Sequence, residues 1–161
     1  MPYLIDANVF IQAKNLHYGF DFCPAFWDWL LQANAEGTVF SIAQVKDELI
    51  SGDDELAEWA RGEGAAIFQS IDEATAPELR WLAAWTNAST DYDAAAKSVF
   101  QQVADFYLIA YARAHKYSVV THETPSDSRK KIKIPNVGLA ASVETLNPFQ
   151  LLRREQARFV L

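Results

Sequence analysis

Short apolar runs alternate with longer amphipathic stretches along this chain. Residues 3–6 read as a strand, the apolar run Tyr3-Leu4-Ile5 ending on a carboxylate, Asp6. Residues 22–35, dense in aromatics (Phe22, Phe26, Trp27, Trp29), predict a helix apolar almost all round and therefore buried. Residues 38–40 follow Gly37 as a short strand. Ser41 with Gln44 fits a capping box opening a helix that runs to Ser51 and stops at Gly52. Further helices are expected over 54–61, 75–87, 92–101 and 105–115. The second of these opens on another capping box, Thr75 and Glu78, with Pro77 in its first turn. Residues 66–70 and the β-branched 117–121 read as strands, and a polar loop spans 122–131. A weak last strand over 141–145 and a last helix over 149–157, after Pro148, complete the pattern. Strands separated by helices imply βαβ units and a mostly parallel sheet.

Length and composition fit one domain over 1–161: half the residues are hydrophobic, enough for a real core. No apolar stretch approaches the roughly 20 residues that span a bilayer. The start, Met1-Pro2-Tyr3, carries no basic region, so no signal peptide is expected. A single cysteine, Cys23, excludes an internal disulfide and a cysteine metal cluster, and a cytoplasmic location is expected. The net charge of −7 argues against nucleic acid as a partner, but its distribution changes that. Residues 1–128 hold 7 basic and 19 acidic side chains, whereas 129–161 hold 7 basic and 2 acidic. The basic groups cluster as Arg129, Lys130, Lys131 and Lys133, then Arg153, Arg154 and Arg158. Solvated charge and a local phosphate-binding surface fit this run equally well.

Four acids carry the candidate chemistry. Asp6 stands where a strand ends, the edge at which open α/β sheets bind ligands. Glu48 lies about 60° from Val45, on the border of the apolar stripe Ile42, Val45, Leu49. Taken alone, it also reads as a surface glutamate paired with Lys46. Asp105 shares a stripe with Leu108, Ile109 and Ala112, while Tyr107, Ala110 and Arg113 lie off it. A first-turn acid serving the helix dipole explains the same residue. Glu123 follows the strand over 117–121 by one residue, with Asp127 in the same loop as a competitor. Two acids after strand ends and two leaning inward from helices cannot all stay ionised without cations. Hard oxygen donors select Mg²⁺ or Mn²⁺, which can activate water and stabilise a departing phosphate oxygen.

At these residues the chain resembles the PIN domain, the metal-dependent nuclease fold of VapC-type toxins. The matching pieces are Leu4-Ile5-Asp6-Ala7-Asn8, Glu48 on the helix after the second strand, residues 104–110 opening a later helix, and Val119-Val120-Thr121-His122-Glu123. The resemblance covers nearly the whole chain. It implies a three-layer α/β/α fold with a mostly parallel four- or five-stranded sheet. It implies an acidic pocket holding one or two Mg²⁺ or Mn²⁺ ions, cleavage of RNA, and a cognate antitoxin protein as partner. By position Asp6, Glu48, Asp105 and Glu123 take the metal-ligand and catalytic roles, with Asn8 and Thr121 in support. The fourth acid is usually Asp in that family; here Glu123 would reach metal through water, or Asp127 would substitute. The tryptophan-rich segment between Glu48 and Asp105 exceeds a minimal PIN domain, and Thr-His-Glu followed by Lys133–Val137 resembles a less-studied PIN-like branch. A homodimer is compatible with the aromatic content.

No Walker loop, dinucleotide-binding glycine motif, nucleophile elbow or His-Glu-x-x-His occurs. His17, His115 and His122 are dispersed and read as non-ligands. Trp81 and Trp85, at helical spacing, read as packing rather than base stacking. A haloacid-dehalogenase-like phosphatase would need a second Asp where Asn8 stands. The expected function is therefore a metal-dependent endoribonuclease whose lysines at 130, 131 and 133, with Arg129, hold RNA phosphates. The alternative is a non-catalytic PIN-like module that binds RNA or a protein.

Overall fold

The computed structural model describes residues 2–161; Met1, part of the N-terminal reading above, lies outside them. Five short strands form one parallel sheet: β1 (Tyr3–Ile5), β2 (Val39–Ile42), β3 (Phe68–Gln69), β4 (Ser118–Val120) and β5 (Thr145–Leu146). Their order is β3-β2-β1-β4-β5, every pair parallel. The chain builds outward from β1 to β3, then crosses back to lay β4 on the other side of β1. The carboxyl ends of β1 and β4 therefore flank a topological switch point, where side loops diverge and leave a crevice.

Helices flank the sheet in a three-layer α/β/α arrangement. They are α1 (Ala7–Gln12), α2 (Pro24–Ala35), α3 (Ala43–Ser51), α4 (Glu55–Arg61), α5 (Ala76–Ala88), α6 (Ala94–Phe100), α7 (Ala104–His115), α8 (Ile134–Ala141) and α9 (Pro148–Arg154). A π-helical turn, Ala13–His17, extends α1. The strands β1 and β4 are buried along their whole length, as the central strands of a covered parallel sheet must be. Leu4, Ile5, Phe10, Val39, Leu108 and Val119 form the centre of the core. No helix among the described residues is long and apolar enough to cross a membrane.

Tertiary partners override several local patterns. Ser41 lies inside β2 rather than capping α3, whose N-cap is Ile42. Its buried hydroxyl donates to the Ile5 carbonyl at 2.6 Å, tying β2 to the end of β1. The expected box at Thr75 and Glu78 is also absent. Thr75 is buried against Asp72, which caps a 3₁₀ turn over Glu73–Thr75. Glu78 turns instead to Arg113, 2.6 Å away, whose guanidinium lies 3.7 Å over the Trp81 ring. The side-chain caps that do form are Asp54 on α4, Asp93 on α6, and Asn147 with Gln150 on α9.

Helices α1 and α8 depart from the expected pattern, one continuing from a strand end and one lying between the expected loop over 122–131 and weak strand over 141–145, overlapping the latter at Ala141. The last strand consequently shifts to Thr145–Leu146. The expected strand over 66–70 shortens to Phe68–Gln69, after a 3₁₀ turn at Ala65–Ile67. Helix α2 begins at Pro24 and is one-sided, burying Phe26, Trp27, Leu30 and Ala33, while Phe22 stands 66% exposed before it. In α7, Ala110 is as buried as the expected stripe, because the helix packs on β2, β4, α5 and α8.

The Ser41 hydroxyl gives a direct test of this wiring. Ser41→Ala removes this donor to the Ile5 carbonyl, so it should cost about 0.5–1.5 kcal/mol. Urea unfolding of the two proteins measures this, and an unchanged midpoint would show that the bond contributes nothing.

Candidate metal centre

Asp6 ends β1 at the switch point. It is the N-cap of α1, yet its side chain caps nothing. The residue is 2% exposed, and Thr121 Oγ1 donates to its Oδ2 at 2.9 Å. The same hydroxyl accepts from the Glu123 backbone N–H at 3.0 Å, so one threonine orients the strand ends of both β1 and β4. Burial pushes the Asp6 carboxyl up to about 8; the charges of Asp105, Glu123 and Glu48 add to the shift, and the Thr121 hydrogen bond opposes it.

The other three acids reach the same cavity, about 780 Å³ in volume. Glu48 stands on α3, on the face shared with Gln44 one turn earlier. It is exposed on its outer side, but the protein around it still raises its carboxyl. Asp105 lies in the first turn of α7, where the helix dipole favours negative charge. Burial raises its carboxyl to about 6, with Glu123 and Glu48 pushing the same way and Lys131 and Lys133 pulling against them. The Glu123 side chain is 8% exposed, and its Oε2 has no hydrogen-bond partner. Lys133 Nζ stands 3.8 Å from that atom.

Asn8, Lys130 and Lys131 also line the cavity. Asp127 and Arg129 do not: both are exposed in the loop after β4. Three contributors were not singled out from the sequence. Gln44 was legible from its i, i+4 spacing to Glu48. Asp93 carried the signal of an N-cap before an alanine run, and its side chain accepts from Ala96 N–H at 2.8 Å. The apolar wall made by Val99, Phe100 and Val103 left only the trace of exposed hydrophobics at helical spacing. None of the three histidines lines the cavity. His17 and His122 stack on each other against Phe149, and His115 meets Asp72 at 2.8 Å.

The donor set fits a hard divalent cation in chemistry and charge. All four acids are oxygen donors, and two buried oxygens at the cavity, Gln44 Oε1 and Glu123 Oε2, lack partners. Among the described residues, however, no three His, Cys, Asp or Glu side chains are gathered closely enough to hold an ion as they stand. The arrangement is an open acidic pocket, not a closed cage.

The five-stranded parallel sheet flanked by helices, with its pocket at the switch point, is a PIN-like fold. The chain belongs to the DUF4411 family, described as a domain of unknown function, which matches residues 3–159. Two solved structures share the fold. One is FitAB bound to an IR36 DNA fragment, a chain of which aligns with TM-score 0.57 and 21% identity over 91% of this chain and 95% of that one. The other is FitAcB from Neisseria gonorrhoeae, at TM-score 0.56 and 23% identity over 91% and 98% of the two chains. No curated protein matches the chain in sequence.

The raised Asp6 carboxyl has a thermodynamic consequence. Its folded value of about 8 lies above the ordinary 3.8, so the folded state holds the proton more tightly than the unfolded chain. Stability fully present below about pH 4 is then lost as pH rises through about 8, and Asp105 acts in the same direction over a narrower window. In chelator-treated protein, Asp6→Asn should flatten this decline and melt higher than wild type at pH 8, by roughly 2 kcal/mol or more. Near pH 4 the two should converge. Parallel melting curves across that range would contradict the burial of an ionising carboxyl at position 6.

Proposed function

We propose that this chain is a Mg²⁺- or Mn²⁺-dependent endoribonuclease and the toxin of a toxin–antitoxin pair. The observation that carries the reading is the meeting of Asp6, Glu48, Asp105 and Glu123 at one cavity, with Asp6 raised to about 8 by burial and by its acidic neighbours. Such a group of acids costs free energy in the folded protein unless a cation joins it. The carboxylates would hold the ion. A bound divalent ion supplies an activated water and positive charge at the departing oxygen.

The chain's own residues supply the rest. Thr121 fixes the orientation of Asp6, so the carboxylate nearest the sheet does not rotate away from the pocket. Lys130 and Lys131 at the cavity wall would meet the RNA backbone phosphates. The apolar wall of Val99, Phe100 and Val103 offers sugar and base a dry surface opposite the acids. The fold likeness to a chain of FitAB, solved with a DNA fragment, supports a protein partner for this chain. The partner we assign is a cognate antitoxin.

The open spacing of the acids favours one competing reading, a PIN-like module that binds RNA or protein without cleaving. Incubation of the purified chain with single-stranded RNA separates the two. Cleavage should require Mg²⁺ or Mn²⁺ and stop with a chelator. Asp6→Asn and Asp105→Asn should each lower the rate by about a hundredfold or more while the circular dichroism spectrum is retained. Metal-independent cleavage, or full activity in both variants, would remove the metal-site reading; binding without cleavage would establish the module.

A further inference from the structure

The segment between β4 and α8 is a strap of basic residues fastened at several points. Asp93 N–H donates to the Arg129 carbonyl at 3.0 Å, tying the strap to the start of α6. Ser126 and Asn136 exchange two hydrogen bonds at 3.0 Å, tying it to α8. Residues 131–134 alternate lysine and isoleucine. Ile132 and Ile134 are 4% and 0% exposed, and Lys133 has extended backbone at φ −94°, ψ 144°. In extended chain alternate side chains point to opposite sides. The two buried isoleucines pin the strap on either side of Lys133, whose side chain leaves on the other side and reaches Glu123. Lys131 lines the cavity, and Lys133 makes the ion pair with Glu123. Among the described residues this is the only ion pair that includes one of the four pocket acids.

We infer that Lys133 is a built-in cation of the acidic pocket, holding Glu123 in the place a second divalent ion would take and leaving the pocket to bind one ion through Asp6, Glu48 and Asp105. The inference rests on the metal-dependent reading given above and deepens it. A surface lysine exploring solvent for RNA phosphate would not be mounted between two core isoleucines. Glu123 Oε2 has no hydrogen-bond donor, so the ammonium at 3.8 Å is the compensation it receives. Lys133 also pulls on Asp105, so its charge is felt across the pocket. A second divalent ion beside Glu123 would meet that fixed positive charge a few ångströms away and be repelled.

Calorimetric titration of the full chain with Mn²⁺ tests this. Wild type should bind one ion. Lys133→Met, similar in length but uncharged, should bind the first ion about tenfold more tightly or better and take up a second. Lys133→Arg, which restores the charge, should return to one ion. Should Lys133→Met fail to fold by circular dichroism, Lys133→Gln is read in the same way. Equal affinity and stoichiometry in wild type and the uncharged variant would overturn the role of Lys133 and leave the metal reading standing. Two ions in wild type would overturn it as well. No Mn²⁺ binding by either protein would overturn the metal reading itself, and this inference with it.

Discussion

A carboxylate sealed at the end of the central strand sets the terms for the rest of this molecule. Asp6 is 2% exposed and receives one side-chain hydrogen bond, from Thr121. Most buried carboxylates are excused by a guanidinium or by several backbone donors. Here the flanking residues add negative charge instead. The protein without a cation settles this by keeping the proton, as the shift to about 8 expresses. A sequence selected only for stability would place Asn at position 6, which keeps the acceptor and loses the charge. A carboxyl perturbed in this way marks a candidate functional site, which is where the proposed cation enters.

The fold makes that position available through its topology. With β1 at the centre of the sheet and β4 laid beside it after the long excursion through α2 to α7, two strand ends open at one crevice. Asp6 and Glu123 arrive from these ends. Glu48 and Asp105 arrive from α3 and from the first turn of α7. The dipole of α7 lowers the cost of Asp105 at the same point where the other acids raise it. Two buried hydroxyls then lock the frame: Ser41 joins β2 to the end of β1, and Thr121 joins the ends of β1 and β4.

Asp6 and Glu123 were legible in the sequence from the strand ends they follow, and Glu48 and Asp105 from helical periodicity, which survives tertiary packing. An acid on the stripe of Leu108 and Ile109 stays on that stripe whatever the helix packs against. Capping boxes are less durable, being satisfied by whichever partner is nearest in space. Ser41 found the Ile5 carbonyl and Glu78 found Arg113, neither of which local spacing can reveal. Helix α8 was hidden for another reason. Pro135 near its start and Gly138 within it are weak helix signals, yet Pro is at home in a first helical turn. At Gly138 an added Cβ would meet Thr145 Cγ2 at 2.8 Å and the Val143 carbonyl at 3.0 Å, so the glycine marks close packing of α8 on β5 rather than a turn. The basic run was read as one phosphate-binding cluster, whereas the structure divides it between the cavity wall, solvent and Glu123.

That division bears on why the fourth acid is Glu rather than Asp. A strand-end carboxylate with one more methylene reaches further from its backbone, and here its end lies near Lys133 on the strap. Asp127, the alternative, is exposed outside the cavity and offers no competing carboxylate. The longer side chain and the anchored lysine form one unit in which each explains the other. Without Lys133 the buried Glu123 oxygen would have no compensation, and without Glu123 the lysine would stand as an unpaired charge over the pocket. The pairing also leaves the charge balance incomplete. Asp6, Glu48 and Asp105 still border one cavity, with Lys131 and Lys133 pulling only on Asp105 and Thr121 alone easing Asp6. A monovalent side chain thus quiets one corner of the pocket, and the remaining three carboxylates are hard oxygen donors of the kind that the proposed divalent ion would need.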